Sequence, residues 1–183
     1  MKRSIKKKYF IFRKYFYYFF IYSFSGWLYE VMWFLIYRHR FVNRGFFYGP
    51  FLPIYGIGGI LLLLMLNNLN KNYLKRKNKY VKLFAYFIVI IIVSTILEYF
   101  SHYVLDEYFN IVLWSYKNNK FNLNGRICLE TSIKFGLYGT FFFIYVQPLL
   151  ENIYKTISNN IKDILFKIVL VVFMIDLLFK IIS

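Results

Sequence analysis

Five long apolar stretches, separated by short polar and basic segments, set the pattern of this chain. They cover about residues 15–37, 51–66, 81–105, 127–150 and 161–182. A helix needs about 20 mostly apolar residues to cross the hydrocarbon core of a bilayer. The pattern therefore predicts an all-α, polytopic membrane protein with about five transmembrane helices. It reads as a basic tail, 1–14, followed by a single membrane domain, 15–183. The second stretch is short, and Pro53, Gly56, Gly58 and Gly59 crowd its start. An earlier entry near Phe46, broken or re-entrant, is compatible with it. Irregular backbone at membrane depth needs cover from protein or from a water-filled cavity. The first stretch follows a basic MKRSIKKK start, as the apolar part of a signal peptide does. Its apolar part is too long for one, and Ser23-Phe24-Ser25 makes a poor cleavage site; a retained span is expected. The fifth stretch holds Asp163, Lys167, Asp176 and Lys180. It either crosses the membrane or lies flat on it.

Composition agrees with this pattern. The chain of 183 residues is 60% hydrophobic and 25% aromatic, against roughly 45–50% apolar in soluble domains. Its formal net charge is +16. A surplus of that size often points to nucleic acid, but here it lies in clusters between apolar runs, as in a membrane protein. Seven Lys and Arg fall in residues 1–14 and six in 67–82, against three each in 38–50 and 106–126. Cytoplasmic loops carry the excess of Lys and Arg. The N-terminus is therefore expected inside the cytoplasmic membrane and, with five spans, the C-terminus outside. A flat fifth segment would leave the C-terminus inside. The basic loops serve orientation and attraction to anionic lipid, or dock a partner. The single cysteine, Cys128, excludes a disulfide framework and a cysteine metal cluster.

Acids inside apolar spans are costly and are candidates for function by default. Glu30 and Glu98 each sit seven residues before the end of an odd-numbered span, roughly 10 Å below the outer boundary at 1.5 Å per residue. Ser23, Gly26, Trp27 and Glu30 share one helical stripe; Ser94, Glu98, Ser101 and His102 share another. Three roles stay open for these carboxylates: structural groups bonded to a neighbouring helix, ligands for a substrate, ion or proton, and acids or bases of raised pKa. One Glu and His102 fall short of a metal site, and His39 lies in a loop; no metal or cofactor is expected. Glu130 and Lys134, like Asp163–Lys167 and Asp176–Lys180, have the spacing of charge-neutralising pairs.

Two loops carry the most specific chemistry. Residues 43–56, NRGFFYGPFLPIYG, combine Gly45, Gly49 and Gly56 for tight backbone geometry with Pro50 and Pro53, which fix φ. Asn43 can cap a turn, and Arg44 offers a fork of donors for a carboxylate or phosphate. Residues 121–130, FNLNGRICLE, repeat the theme with Asn124, Gly125, Arg126 and Glu130. Together they suggest a two-helix tandem repeat: Glu30 with Glu98, the two loops with each other, and Tyr55-Gly56 with Tyr138-Gly139. The arginines either neutralise Glu30 and Glu98 or form a polar outer site with them and His102. No phosphate-binding loop, dinucleotide fingerprint, G-x-S-x-G or H-E-x-x-H occurs.

Several of these segments match a known family. GWLYE (26–30), RFVNRGFFYGPFLPIYG (40–56), LEYF (97–100), WSY (114–116) and NLNGRICLE (122–130) resemble the bacterial membrane proteins labelled putative ABC-transporter type IV, or CmpB-like permeases. Two departures stand out: Ser115 replaces an Asp usual in that family, and Phe135-Gly136 replaces a Trp-Gly. The resemblance implies a transporter permease component without ATPase activity of its own. Membrane lipid, a separate ATPase subunit and a homo- or hetero-oligomer are the partners this implies; nucleic acid is not among them. An intramembrane enzyme or lipid-binding protein, and a non-catalytic assembly or scaffold protein, are the alternatives.

Overall fold

The computed structural model describes residues 2–43, 45 and 47–182, with side chains described from residue 6 onward. Arg44 and Phe46 lie outside the described residues. Five helices make up the fold: α1 (Lys2–Arg38), α2 (Pro53–Leu74), α3 (Lys79–Phe109), α4 (Leu129–Thr156) and α5 (Asn159–Ile182). The first four are long and apolar enough to cross a membrane. α2 ends in a π-helical turn, Asn70–Leu74, and α4 contains another, Phe142–Val146. Among the described residues the only sheet is a two-stranded hairpin, β1 (Asn122–Leu123) and β2 (Ile127–Cys128).

The element boundaries follow from local chemistry. Pro53 opens α2, where a missing N–H costs nothing. Asn78 caps α3 by accepting the Val81 N–H at 2.9 Å. Asn110 closes α3 in the left-handed conformation, φ 55°, and its N–H bonds back to the Asp106 and Leu105 carbonyls. α3 therefore runs beyond the expected end at 105 and takes Asp106 and Glu107 into its last turn. α2 likewise continues past residue 66 to Leu74.

The chain divides into two compact units: Met1–Ile60 with Lys155–Ser183, and Leu61–Tyr154. In the first unit α5 runs beside α1 in the same direction. Arg13 pairs with Asp163, and its Nη2 donates to Asn159 Oδ1 at 2.8 Å. Further along, Phe16 meets Phe166 and Phe20 meets Phe173, with ring centroids 4.6 and 5.4 Å apart. Asp176 then accepts the backbone N–H groups of Tyr48 and Gly49 at 3.0 and 2.8 Å. Two of the acids that make α5 weakly apolar thus have partners within this unit.

Glycines set how closely the helix pairs approach. In the first unit α2 packs antiparallel on α1: a Cβ on Gly56 would meet Ser23 and Phe19, and one on Gly59 would meet Tyr22. In the second, α4 packs antiparallel on α3: a Cβ on Gly136 would meet Ile91 and Phe87, and one on Gly139 would meet Ile90. Small residues at such contacts let backbones approach, as in membrane helix pairs generally. The two sets correspond position by position. Ser23, Tyr22 and Phe19 stand 7, 8 and 11 residues before Glu30; Ile91, Ile90 and Phe87 stand 7, 8 and 11 before Glu98. A shift of 80 residues carries Gly45, Gly56 and Gly59 onto Gly125, Gly136 and Gly139, and Arg40-Phe41 onto Lys120-Phe121. Packing therefore matches Gly56 to Gly136, three residues away from the Tyr138-Gly139 pairing suggested by the sequence.

Candidate functional site

The loop after α3 is shaped by its Asn-Gly pair. Asn124 and Gly125 have φ of 54° and 67°, and the Arg126 N–H bonds to the Leu123 carbonyl at 3.0 Å. This is the tight hairpin turn that two positive φ values favour. Around it, the Tyr116 N–H bonds to the Gly125 carbonyl at 2.8 Å, and Trp114 Nε1 donates to the Arg126 carbonyl at 3.1 Å. Residues 114–116 are thereby fastened to the hairpin.

These loop residues read the last turns of α3 one turn at a time. Glu98, His102 and Asp106 are spaced by four and share a stripe. The Tyr116 hydroxyl donates to Glu98 Oε1 at 2.7 Å. His102 Nε2 lies 3.0 Å from the Trp114 carbonyl. Arg126 Nη2 donates to Asp106 Oδ2 at 3.1 Å and to Glu107 Oε1 at 2.6 Å. The Arg126 guanidinium also lies over Tyr103, 5.0 Å from the ring centre. Glu98 and His102 are each only 6% exposed.

The electrostatics hold these groups in fixed roles. Burial, reinforced by the Glu98 carboxylate, raises the Tyr116 phenol well above its ordinary pKa, so it remains a donor. The hydrogen bond to Glu107, then that to Asp106, raises the Arg126 guanidinium further, against its desolvation. Beside the ladder is a cavity of about 320 Å³, lined among others by His102, Asp106, Ser115, Lys117 and Arg126.

The first unit holds the corresponding acid differently. Tyr55 donates to Glu30 Oε1 at 2.9 Å, and Tyr55 itself fits only because Gly26 has no side chain. The position matching Tyr55 in the second copy is Phe135, which has no hydroxyl; Tyr116, from a longer loop, supplies that donor instead. Asn43 Oδ1 accepts from Trp27 Nε1 at 2.8 Å and from the Gly45 N–H at 3.3 Å. Gly49 has no room for a Cβ, which would stand 2.6 Å from Phe51 and 2.9 Å from Asp176. Pro50 follows it, and Leu52 N–H then bonds to the Ser23 carbonyl at 3.0 Å before Pro53 starts α2.

Of the residues singled out in the sequence, Glu98, His102, Asn124, Gly125 and Arg126 come together in the second unit. Glu30, Gly26, Asn43, Gly45, Gly49, Tyr55 and Gly56 come together in the first. Arg44 is outside the described residues. Arg126 pairs with Asp106 and Glu107 rather than with Glu98. Glu130 pairs with Lys134 at 2.5 Å, as its spacing suggests. Sequence reasoning missed Asp106, Tyr116 and Lys117; the spacing of four from Glu98 through His102 was the signal for Asp106. No group of three or more His, Cys, Asp or Glu suited to a metal occurs among the described residues.

A profile of the family described as "Putative ABC-transporter type IV" matches residues 17–181. No curated protein and no solved structure matches the chain.

Proposed function

Because this chain belongs to the family described as "Putative ABC-transporter type IV", we propose that it is the membrane-spanning permease component of a transporter, with ATP hydrolysis on a separate subunit. The cavity beside the Glu98–His102–Asp106 stripe is its ligand site in this reading. One observation carries it: two ionisable residues of the apolar helix α3, His102 and Asp106, line a cavity together with Ser115, Lys117 and Arg126. Ionisable groups in spans mark ligand paths, and small-molecule sites combine a concave pocket with a few polar groups.

The orientation we propose places the N-terminus in the cytoplasm of the cytoplasmic membrane, so that both motif loops face outward. The Lys and Arg bias supports it. So does the shared direction of α1 and α5, which five alternating spans require. A purely structural role for the acids, as in a scaffold protein, is the second reading, favoured by the tyrosine that holds each of Glu30 and Glu98.

Purification from native membranes in mild detergent tests the proposal. The permease reading expects an ATP-hydrolysing subunit in fixed stoichiometry, and Asp106→Asn protein, altered in the cavity lining, that keeps this subunit but loses transport. A homo-oligomer without ATPase activity, or normal transport by the Asp106→Asn protein, overturns it.

A further inference from the structure

Each motif loop leaves a large aromatic side chain outside the fold, and in both loops the residue before it is basic. Phe121 follows Lys120 and is 80% exposed; Phe41 follows Arg40 and is 65% exposed. Phe121 is also held at φ 53°, a conformation rare for a bulky residue.

What these rings pack beside fixes their depth. Lys82 and Lys14 are the last basic residues before the apolar runs of α3 and α1. About twenty residues cross the hydrocarbon core, so a core that starts after these lysines ends near His102 and near Phe34. Glu98 and Glu30 then lie roughly 6 Å inside it at 1.5 Å per residue, and roughly 10 Å inside when the whole apolar stretches are counted. The Thr95 hydroxyl donates to Ser132 at 2.8 Å, which sets Leu129, the first residue of α4, level with about Glu98. The Leu129 N–H bonds to the Phe121 carbonyl at 3.2 Å, so Phe121 lies at that level too. In the first unit the Phe41 ring stands 6.5 Å from the ring of Trp27, one turn before Glu30. Both loops therefore return below the boundary. Backbone enters that region only where its polar groups are met. In the second loop Asn122 meets several of them, accepting the Gly125 N–H at 3.0 Å and donating to the Asn119 carbonyl at 2.7 Å.

At this depth a side chain outside the fold is surrounded by acyl chains. A neighbouring Lys or Arg extends its long apolar stem and carries its charge to the headgroups. Arg40 and Lys120 are both exposed, and basic residues near the surface favour anionic lipid. We propose that each motif loop is a lipid anchor, with Phe41 and Phe121 among phospholipid acyl chains and Arg40 and Lys120 on the phosphate of an anionic headgroup.

The test attaches a bimane fluorophore to Phe121→Cys and, separately, to Phe41→Cys. The full chain is reconstituted in mixed phosphatidylcholine and phosphatidylglycerol bilayers. The unsubstituted chain is the labelling blank for Cys128, which is buried. Both positions are exposed, so the helical spectrum should be unchanged. Lys77→Cys, in the exposed turn before α3, is the water reference. Lipid brominated on its acyl chains should quench the label at 121 and at 41 but not at 77; acrylamide should do the reverse. At 121 and 41 brominated phosphatidylglycerol should quench more than brominated phosphatidylcholine. Lys120→Gln should lower that preference at 121 about fivefold, the worth of one basic residue near an anionic surface. Acrylamide quenching at either Phe position means water around the loop and overturns the inference. Quenching by neither agent means protein cover, such as a partner or a second copy, and overturns it as well. A headgroup preference unchanged in Lys120→Gln overturns the role of the basic residue. None of these readouts depends on transport, so the permease reading stands or falls separately.

Discussion

Tyr116→Phe removes one hydroxyl and keeps the ring. The lost bond is 2.7 Å long and ends on Glu98, a carboxylate only 6% exposed. Hydrogen bonds to charged groups contribute about 1.5–3 kcal/mol in proteins. Polar bonds between helices in a bilayer average about 0.6 and reach about 1.7 kcal/mol. Tyr116 comes from a loop and its partner is deeply buried, so the expected loss lies where the ranges meet, about 1.5–2 kcal/mol. Tyr55→Phe, by contrast, acts on Glu30, which is only half-buried, and should cost about 1 kcal/mol or less. For a chain of this size each kcal/mol moves Tm by about 2–4 °C. Thermal unfolding in detergent should therefore show a drop of about 3–8 °C for Tyr116→Phe and of about 4 °C or less for Tyr55→Phe. A double-mutant cycle of Tyr116→Phe with Glu98→Gln isolates the pair and should be non-additive by about 1 kcal/mol. A Tyr116→Phe protein as stable as wild type, or additive effects in the cycle, would refute the reasoning.

Other substitutions probe the rest of the framework. Gly136→Val forces a side chain against Ile91 and Phe87 and should cost about 1–3 kcal/mol, seen as a lower Tm, with Gly56→Val behaving alike if the two copies are equivalent. Gly125→Val places a β-branched residue at φ 67° and should cost about 1–3 kcal/mol, with loss of protection from hydrogen exchange at the Tyr116 amide. Asp176→Asn weakens the hold on the Tyr48 and Gly49 amides; it should raise proteolysis within residues 39–52 and leave residues 110–128 unaffected.

Much of this architecture was legible in the sequence because apolar length is a strong signal: all five segments were found and four are long and apolar enough to cross a membrane. Their ends were less legible. The Asn and Lys residues between 67 and 74 look like loop, yet the helix carries them through a π-helical turn. Asp106 and Glu107 look like the start of a loop because charge ends the apolar run, whereas Asn110, capping in the left-handed conformation, ends the helix. That displacement hid the partners of Arg126. The repeat was visible through its glutamates and loops, but its register was not. Tyr-Gly is a conspicuous dipeptide, while the packing depends on where a missing Cβ admits the opposite helix. Tyr116 was quoted only as part of a motif, since nothing local says that a residue 18 positions away in sequence will reach Glu98.

The central claim is that the cavity beside α3 is the ligand site of a permease and opens to the outside. Ser115 lines that cavity and is exposed, whereas Cys128, the single cysteine, is buried. The direct measurement is the labelling rate of Ser115→Cys, in a Cys128→Ser background, by small membrane-impermeant thiol reagents applied to intact cells. Labelling of Ser115→Cys from outside is the predicted result. Labelling only after the membrane is opened would contradict the account.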